Sequence, residues 1–259
     1  MVMAGTNKRR RAVLGGPVVV LVEPQLGENI GMVARAMLNC GLTDLRLVSP
    51  RDGWPNPAAV SAAAGAADVL DGAVLFGTAA EAVGDLNRVY AATVRPRDMV
   101  KPVMTPRAAA ADMRTAAGRG EAMGILFGPE RSGLTNDDLT LADRVIAVPL
   151  NPAFASLNLA QAALIVGYEW FQAGDDTPPR SLALGGSTPV AREELANFFA
   201  RLEAALDEGN FFHPEEMRAG TVHNLRNVFV RADLTDAEVR TLHGVVSALA
   251  KARKRRGES

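Results

Sequence analysis

Residues 148–168 read VPLNPAFASLNLAQAALIVGY, and this stretch decides the fold. It runs from a strand-like start through a polar loop with two prolines into a long apolar helix. Asn151, Ser156 and Asn158 have short polar side chains that can cap a helix, which is predicted to begin near Ser156. A helix start exposes backbone N–H groups that bind carboxylates or nucleobase edges, so the loop is a candidate ligand site. An ordinary strand-to-helix connection with a capping serine explains the same residues, and the loop alone does not decide between the two.

A second segment, residues 29–41, reads NIGMVARAMLNCG. Asn29 is predicted to cap a helix and Gly41 to end it. The apolar residues between them recur at helical spacing, which leaves Arg35 and Asn39 on a more polar face. Arg35 is therefore a candidate site residue, although an arginine on a polar helix face is more often a solvated charge.

A third segment, residues 124–139, reads GILFGPERSGLTNDDL. An apolar strand ends at Gly128-Pro129 and is followed by Glu130 and Arg131, before a helix predicted to be capped at Thr135 or Asn136. The glycine allows the backbone to approach a ligand closely. Taken alone, adjacent opposite charges more often pair with their neighbours.

Short apolar runs alternate with helical patterns along the first two thirds of the chain. Continuous apolar runs are typical of strands buried on both faces, so the sequence predicts an α/β layer with a mostly parallel sheet. The predicted strands are residues 18–22, 45–48, 74–76, 89–92, 125–127 and 145–148. Three further helices are predicted at residues 190–206, 214–230 and 236–253, the last opened by a Thr235 to Glu238 capping box.

The composition excludes several classes of protein. The chain has 259 residues, 48% of them hydrophobic, which is enough for one large folded domain and a small one. Its single cysteine, Cys40, allows neither an internal disulfide nor a cysteine-based metal cluster, and a reducing cytoplasm is the expected compartment. No apolar run approaches the roughly 20 residues that span a bilayer, so no membrane association is expected.

The net charge is −1, but both ends of the chain are basic, at residues 8–11 and 251–256. These ends either contact RNA phosphates or only solubilise the chain.

Together, the three segments resemble the three motifs of the SPOUT class of RNA methyltransferases, in its SpoU (TrmH-like) branch of 2′-O-ribose methyltransferases. The order and spacing of the motifs also fit that branch. Residues 224–234 resemble the helical tail of the TrmJ-type tRNA methyltransferases. The residues that carry the motif resemblance are Asn29-Ile30-Gly31 with Arg35, FGPERSGL at 127–134, and Val148-Pro149 through SLNLA at 156–160.

The resemblance implies the two domains, whereas the basic residues and the Gly-, Pro-, Asp- and Ser-rich composition predict the tail and the linker. A basic tail at 1–16 would precede a SPOUT methyltransferase domain at 17–172, whose mostly parallel sheet ends in a C-terminal trefoil knot. A linker at 173–189 and a small, all-helical, RNA-binding extension at 190–259 would follow.

The resemblance also implies the roles of the site residues. S-adenosyl-L-methionine (SAM) would be bound by Ala92, Thr93, Val94, Gly128, Val148, Leu150, Ser156, Leu157 and Asn158. The catalytic residues would be Arg35, Asn29, Glu130, Ser156 and Asn158, with Arg35 and Arg131 contacting RNA and no metal required. The family assigns Arg35 as the base, but a guanidinium with a pKa above about 12 does not give up its proton readily. We therefore expect Arg35 to orient the acceptor and to stabilise developing alkoxide charge.

The implied reaction is methylation of a ribose 2′-hydroxyl of tRNA, on cytidine or uridine at position 32 of the anticodon loop, by a homodimer with shared active sites. Two alternatives stay within the family: the same reaction on ribosomal RNA, and a non-catalytic RNA-binding SPOUT protein. A fourth reading, a dinucleotide-binding α/β enzyme, is disfavoured because no glycine-rich turn follows the first apolar run.

Overall fold

One seven-stranded sheet organises the first of two units, Met1–Thr177 and Pro178–Ser259. The computed structural model describes residues 12–93, 99–177 and 186–257, with the side chains of the last helix described as far as residue 253. The strands are β1 Val18–Val22, β2 Leu45–Val48, β3 Val74–Phe76, β4 Arg88–Ala92, β5 Val103–Met104, β6 Met123–Phe127 and β7 Arg144–Ile146.

The strand order is β3-β2-β1-β6-β4-β7-β5, and every neighbouring pair is parallel. This confirms the predicted mostly parallel sheet. The prediction that all strands are buried on both faces is wrong for β3, where Val74 and Leu75 are 51% and 48% exposed, because β3 lies at the edge of the sheet. The last predicted strand was also too long, since β7 ends at Ile146 and Val148 belongs to the loop that follows.

Helices cover both faces of this sheet. They are α1 Gly27–Asn39, α2 Pro57–Ala63, α3 Ala67–Asp71, α4 Ala79–Val83, α5 Pro106–Gly118, α6 Asn136–Thr140 and α7 Leu159–Gln172. Because side chains alternate along a strand, Val19 and Leu21 of β1 face the core that includes α1, α5 and α7. Val20 faces the opposite core, which includes α4 and α6. The sheet is therefore sandwiched, as continuous apolar strands require.

Two helix starts differ from the sequence prediction. Helix α1 begins at Gly27, with Leu26 at its N-cap and no side-chain cap, so the prediction that Asn29 caps it is wrong. Helix α7 begins at Leu159 and not near Ser156, and Asn158 is its N-cap. The predicted end of α1 is confirmed, because Gly41 has a φ of +76° just beyond the C-cap.

The second unit contains helices α8 Arg192–Glu208, α9 Arg218–Arg231 and α10 Asp236–Gly257, with a 3-10 turn at Glu215–Met217. Its core is built from Leu195, Phe198, Phe199 and Val239. The predicted capping box at the start of α10 is confirmed, since Thr235 Oγ1 accepts from the Glu238 amide and the Glu238 carboxylate accepts from the Thr235 amide. Across the described ranges, no helix is both long enough and apolar enough to cross a membrane.

Candidate functional site

A cavity of about 440 Å³ opens at the carboxyl ends of β4, β6 and β7. Ala92, Phe127 and Ile146, the last residues of these three strands, form its floor, and the loops that follow the strands form its walls. Binding sites of α/β sheets commonly occur at this edge, where the strand ends converge. The full lining is Ala92, Thr93, Phe127, Gly128, Pro129, Glu130, Arg131, Ser132, Gly133, Ile146, Val148, Ala155, Ser156, Leu157, Leu159 and Ala162.

Most of the residues expected to bind a cofactor lie on this lining: Ala92, Thr93, Gly128, Val148, Ser156 and Leu157. Leu150 and Asn158 do not line the cavity. The expectation for Val94 falls outside the described residues.

Gly128 is required by the packing of its own loop. A Cβ at this position would lie 2.3 Å from the Leu134 nitrogen and 2.5 Å from the Gly133 carbonyl carbon. The loop folds back on itself here, with the Gly133 amide donating to the Pro129 carbonyl at 2.9 Å and Gly133 at a φ of +67°. This tight turn places Glu130 and Arg131 at the cavity wall.

Three side chains from distant parts of the chain form a continuous hydrogen-bonded network. Asn158 Nδ2 donates to Asn29 Oδ1 at 3.0 Å, and Asn29 Nδ2 donates to Glu130 Oε1 at 2.6 Å. The other carboxylate oxygen, Glu130 Oε2, accepts from the Gln25 backbone amide at 3.0 Å. The three predicted segments thus meet at one place, beside the cavity that Glu130 lines.

Helix α7 fixes the orientation of this network. Asn158 Oδ1 accepts from the Ala160 amide at 2.8 Å, and the Asn158 amide donates to Gln161 Oε1 at 3.0 Å. Because the side-chain oxygen of Asn158 caps the helix, its NH2 group must point to Asn29. Asn29 therefore accepts with its oxygen and donates with its nitrogen to the carboxylate, so each bond in the network has a donor and an acceptor.

The two arginines assigned to the site occupy different positions. Arg131 is exposed and lines the cavity. Arg35 is exposed on α1, does not line the cavity, and has no hydrogen bond or ion pair with any residue that the structure describes. Within one chain, Arg35 therefore lies apart from the cavity and from the other residues assigned to the site.

Sequence reasoning missed three residues near the site. Gln161 stands three positions after the N-cap Asn158, a capping-box spacing that could have found it. Gln25 contributes only its backbone amide, for which a sequence carries no signal. Arg51 follows β2, and its amide donates to the Pro24 carbonyl at 3.1 Å. The pKa of the Arg51 guanidinium is raised, mainly by its hydrogen bond to Asp52 and to a smaller extent by the charge of Glu130.

The lining of the cavity suits a small organic ligand. No group of three or more metal-ligating side chains occurs within residues 12–93, 99–177 and 186–253. The cavity combines apolar walls with a few polar side chains, namely Thr93, Glu130, Arg131, Ser132 and Ser156. Its volume lies within the range of about 300–1,000 Å³ that is typical of small-molecule sites.

Comparison with known proteins agrees with these features. Residues 16–168 match the SpoU rRNA Methylase family, and residues 193–259 match the C-terminal domain of the tRNA methyltransferase TrmJ. The chain is 34% identical to the tRNA (cytidine/uridine-2'-O-)-methyltransferase TrmJ of Klebsiella pneumoniae, over 91% of this chain and 97% of that protein. It is 33% identical to the tRNA (cytidine/uridine/adenosine-2'-O-)-methyltransferase TrmJ of Pseudomonas aeruginosa, over 90% and 93%.

A solved structure gives the same result. The crystal structure of TrmJ from Z. mobilis superimposes with a TM-score of 0.79 at 49% sequence identity, covering 91% of this chain and all of that one. The chain therefore belongs to the SpoU rRNA Methylase family and, within it, to the TrmJ-type tRNA methyltransferases.

Proposed function

We propose that this protein transfers a methyl group from SAM to a ribose 2′-hydroxyl of tRNA, on cytidine or uridine at position 32 of the anticodon loop. The observation that carries the proposal is the network of Asn158, Asn29 and Glu130 beside a cavity of cofactor size. It joins the three segments that resemble the family's motifs. The names of the TrmJ relatives supply the tRNA substrate and the cytidine or uridine acceptor.

The cavity lining fits a nucleoside cofactor. Ala92, Gly128, Val148 and Leu157 offer apolar contact and backbone groups to an adenosine, while Ser156 adds a hydroxyl at the wall. When bound, SAM supplies the methyl group. Leu150 and Asn158 do not line the cavity, so Asn158 would act through the loop and helix start that it holds.

Glu130 is better suited to positioning than to proton removal. Both of its carboxylate oxygens already accept hydrogen bonds, one from Asn29 and one from the Gln25 amide. In its ionised form the carboxylate is a pure acceptor and satisfies both donors. The two hydrogen bonds hold the Glu130 carboxylate in a fixed position, from which it would orient the acceptor.

Arg35 supplies charge stabilisation to the reaction. As a 2′-oxygen attacks a methyl group it loses its proton, and a guanidinium close by stabilises the negative charge that develops. The proton leaves to water or to a phosphate, because a guanidinium does not accept it. Arg131 is exposed at the cavity wall, and it would contact a phosphate of the RNA.

A homodimer would bring Arg35 to a cavity. Helix α1 packs against α7, and the two helices expose Met32, Leu164 and Tyr168 at 39%, 43% and 53%. Arg35 lies one turn after Met32 on α1, and it is exposed as well. A second copy that covers these apolar side chains would cover Arg35 with them, and it would place each Arg35 at the site of the other chain.

The sheet order supports a trefoil knot at the end of the first unit. Strand β6 inserts between β1 and β4, and β7 inserts between β4 and β5. The chain then returns through α7 to pack on α1 and α5. A knot would require the chain to thread through an earlier loop, which is rare in proteins and is what the SPOUT resemblance implies.

The helical unit favours tRNA over ribosomal RNA as the substrate. Residues 193–259 match a domain that is named for a tRNA methyltransferase. Lys251 and Arg253 are exposed near the end of α10, and neither has an ion-pair partner in the part of the chain that the structure describes. Unpaired cations attract RNA phosphates. We accordingly propose that residues 190–259 bind tRNA and that the protein works in the cytoplasm.

A methylation assay tests the proposal. Purified protein would be incubated with labelled SAM and with transcripts of tRNA or of ribosomal RNA fragments, and the digested nucleosides would be separated. We expect 2′-O-methylated cytidine and uridine from tRNA, and loss of the same marks at position 32 in a strain that lacks the gene. Labelling confined to the ribosomal fragments would favour the ribosomal alternative, and SAM binding without any labelled RNA would favour a non-catalytic protein.

A further inference from the structure

Phe154 is the most exposed aromatic side chain in the described part of the chain, at 77%. Scattered exposed apolar residues are ordinary on protein surfaces, so exposure alone means little. What distinguishes Phe154 is its location. The three residues that follow it, Ala155, Ser156 and Leu157, all line the cavity.

The backbone under Phe154 is held in place. The Phe154 amide donates to the Asn151 carbonyl at 2.9 Å, and the Ala153 amide donates to Asn151 Oδ1 at 3.1 Å. Pro152 lies inside this turn and restricts its φ. The turn therefore presents the ring outward from a fixed base, beside the mouth of the cavity.

The residues around Phe154 are better suited to binding a nucleobase than to binding another protein. Asn151, Pro152 and Ser156 are exposed in the same loop, and Arg131 lines the neighbouring wall. An aromatic ring next to a cationic, hydrogen-bonding rim is the arrangement with which proteins bind unpaired RNA bases. The ring would stack on the base while Arg131 contacts a phosphate.

We propose that Phe154 stacks on the base of the nucleotide that is methylated and thereby holds its ribose at the cavity. This inference rests on the proposed function and names how that site recognises its acceptor. Stacking uses the flat face that every base has, so this contact selects an unpaired nucleotide without selecting a particular base.

The test combines protein variants with a substrate that lacks one base. The RNA is the tRNA that the wild-type protein methylates, prepared either intact or with an acceptor nucleotide that keeps its ribose and 2′-hydroxyl but has no base. The proteins are the wild type, Phe154→Ala, Phe154→Tyr and the control Leu75→Ala. Leu75 is about half exposed in edge strand β3 and does not line the cavity.

On intact RNA, Phe154→Ala should lower kcat/KM by about 5-fold to 150-fold, the range for losing one base-stacking contact. Phe154→Tyr should stay within about threefold of the wild type because it keeps a ring of similar size. The affinity for SAM, measured by calorimetry, should be unchanged in both variants. On the RNA without the base, wild type and Phe154→Ala should be equally slow, because the contact is missing in both.

Wild-type turnover by Phe154→Ala on intact RNA would overturn this inference but not the proposed function. Equal losses for Phe154→Ala on both RNAs would also overturn it, since Phe154 would then act without the base. A change of oligomeric state in Phe154→Ala, but not in Leu75→Ala, would assign Phe154 to an interface between copies of the chain instead. Absence of ribose methylation by the wild-type protein would overturn the proposed function first, and this inference with it.

Discussion

Asn29 precedes Glu130 by 101 positions in the sequence, and its side-chain amide donates a 2.6 Å hydrogen bond to Glu130 Oε1. Asn29 is only 3% exposed, so this bond to a carboxylate is largely shielded from water. Hydrogen bonds to ionised groups are stronger than neutral ones, and more so when shielded. The bond ties the first turn of α1 to the loop after β6.

Glu130→Gln should therefore impair catalysis. The amide can accept from one of the two donors, Asn29 or the Gln25 backbone, but its NH2 group must then face the other. Losing one hydrogen bond to a charged group costs about 1.5–3 kcal/mol, so methyl transfer to tRNA should fall by roughly 10-fold to 150-fold. Glu28→Gln is the matched control, because Glu28 is exposed in the same helical turn and should change turnover little. Equal turnover by both variants would show that the network plays no part in catalysis.

Arg35→Ala should lower methyl transfer by roughly 100-fold or more, the scale of losing a donor that stabilises developing charge. SAM affinity should stay within a few-fold of the wild type, since Arg35 does not line the cavity. Arg35→Lys should lose nearly as much activity as Arg35→Ala. The planar guanidinium of arginine can donate two parallel hydrogen bonds, whereas the ammonium of lysine acts as a point charge. Steady-state kinetics on a full-length tRNA transcript measure both effects, and normal turnover by Arg35→Ala would refute the assignment.

Ser156→Trp should abolish SAM binding and leave the fold intact. Ser156 is exposed at the cavity wall, so a large ring there fills cofactor volume without entering a core. Calorimetric titration with SAM measures the loss, and an unchanged unfolding temperature shows that the variant is folded. Ser132→Trp tests a second serine that lines the same cavity but belongs to the loop after β6. Unchanged SAM affinity in folded Ser156→Trp would mean that the cofactor lies elsewhere.

Mixed dimers test whether the active site is shared. Chains with Arg35→Ala lack the proposed charge-stabilising group, and chains with Ser156→Trp lack the proposed cofactor site. If each site combines both regions from different chains, a mixed dimer regains one complete site, and activity should recover in part. Differently tagged chains allow mixed dimers to be purified before the assay. No recovery in dimers verified this way would place Arg35 at the site of its own chain.

Asp85 should make stability depend on pH in acid. Its carboxylate accepts from the buried Arg46 at 2.9 Å, and this hydrogen bond lowers the pKa of Asp85 below its ordinary value of 3.8. A lowered pKa in the folded state gives stability that is complete above the unfolded pKa and is lost as the pH falls through the folded value.

Asp85→Asn should therefore reduce the free energy of unfolding at pH 7 by about 1–2 kcal/mol, a value kept small because Asp85 is largely exposed. The difference from the wild type should shrink below about pH 4, as the wild-type carboxyl becomes protonated. Urea unfolding at several pH values measures this difference in the free energy of unfolding. Asp71→Asn, at an exposed position in α3, is the control, and a difference that persists unchanged at pH 3 would contradict the prediction.

The central strands could be predicted because their apolar runs are continuous. The bounds predicted for β1, β2 and β3 match the structure. Strand β5 has only two residues, Val103 and Met104, and is too short to produce a pattern. The exposure of β3 follows from its place at the sheet edge, and strand order is a tertiary property that no local pattern contains.

The candidate site was predictable in its members but not in its connections. The predicted segments contained Asn29, Glu130 and Asn158, yet Asn29 was expected to cap a helix because asparagine favours that position. In the structure the α1 start has no side-chain cap, and the Asn29 amide bonds to partners more than 100 positions away. A sequence shows which polar groups are available, whereas the fold decides which of them meet.

The position of β6 beside β1 has a consequence for synthesis on the ribosome. Strand β2 can pair with β1, and β3 with β2, as soon as they emerge, but the other edge of β1 finds its partner only when Met123–Phe127 has been translated. Until then, the apolar run Val18–Val22 presents an open edge, which is a template for pairing with other chains. The nascent chain passes through an interval in which chaperone protection counts most, and slower translation before residue 123 would lengthen that interval.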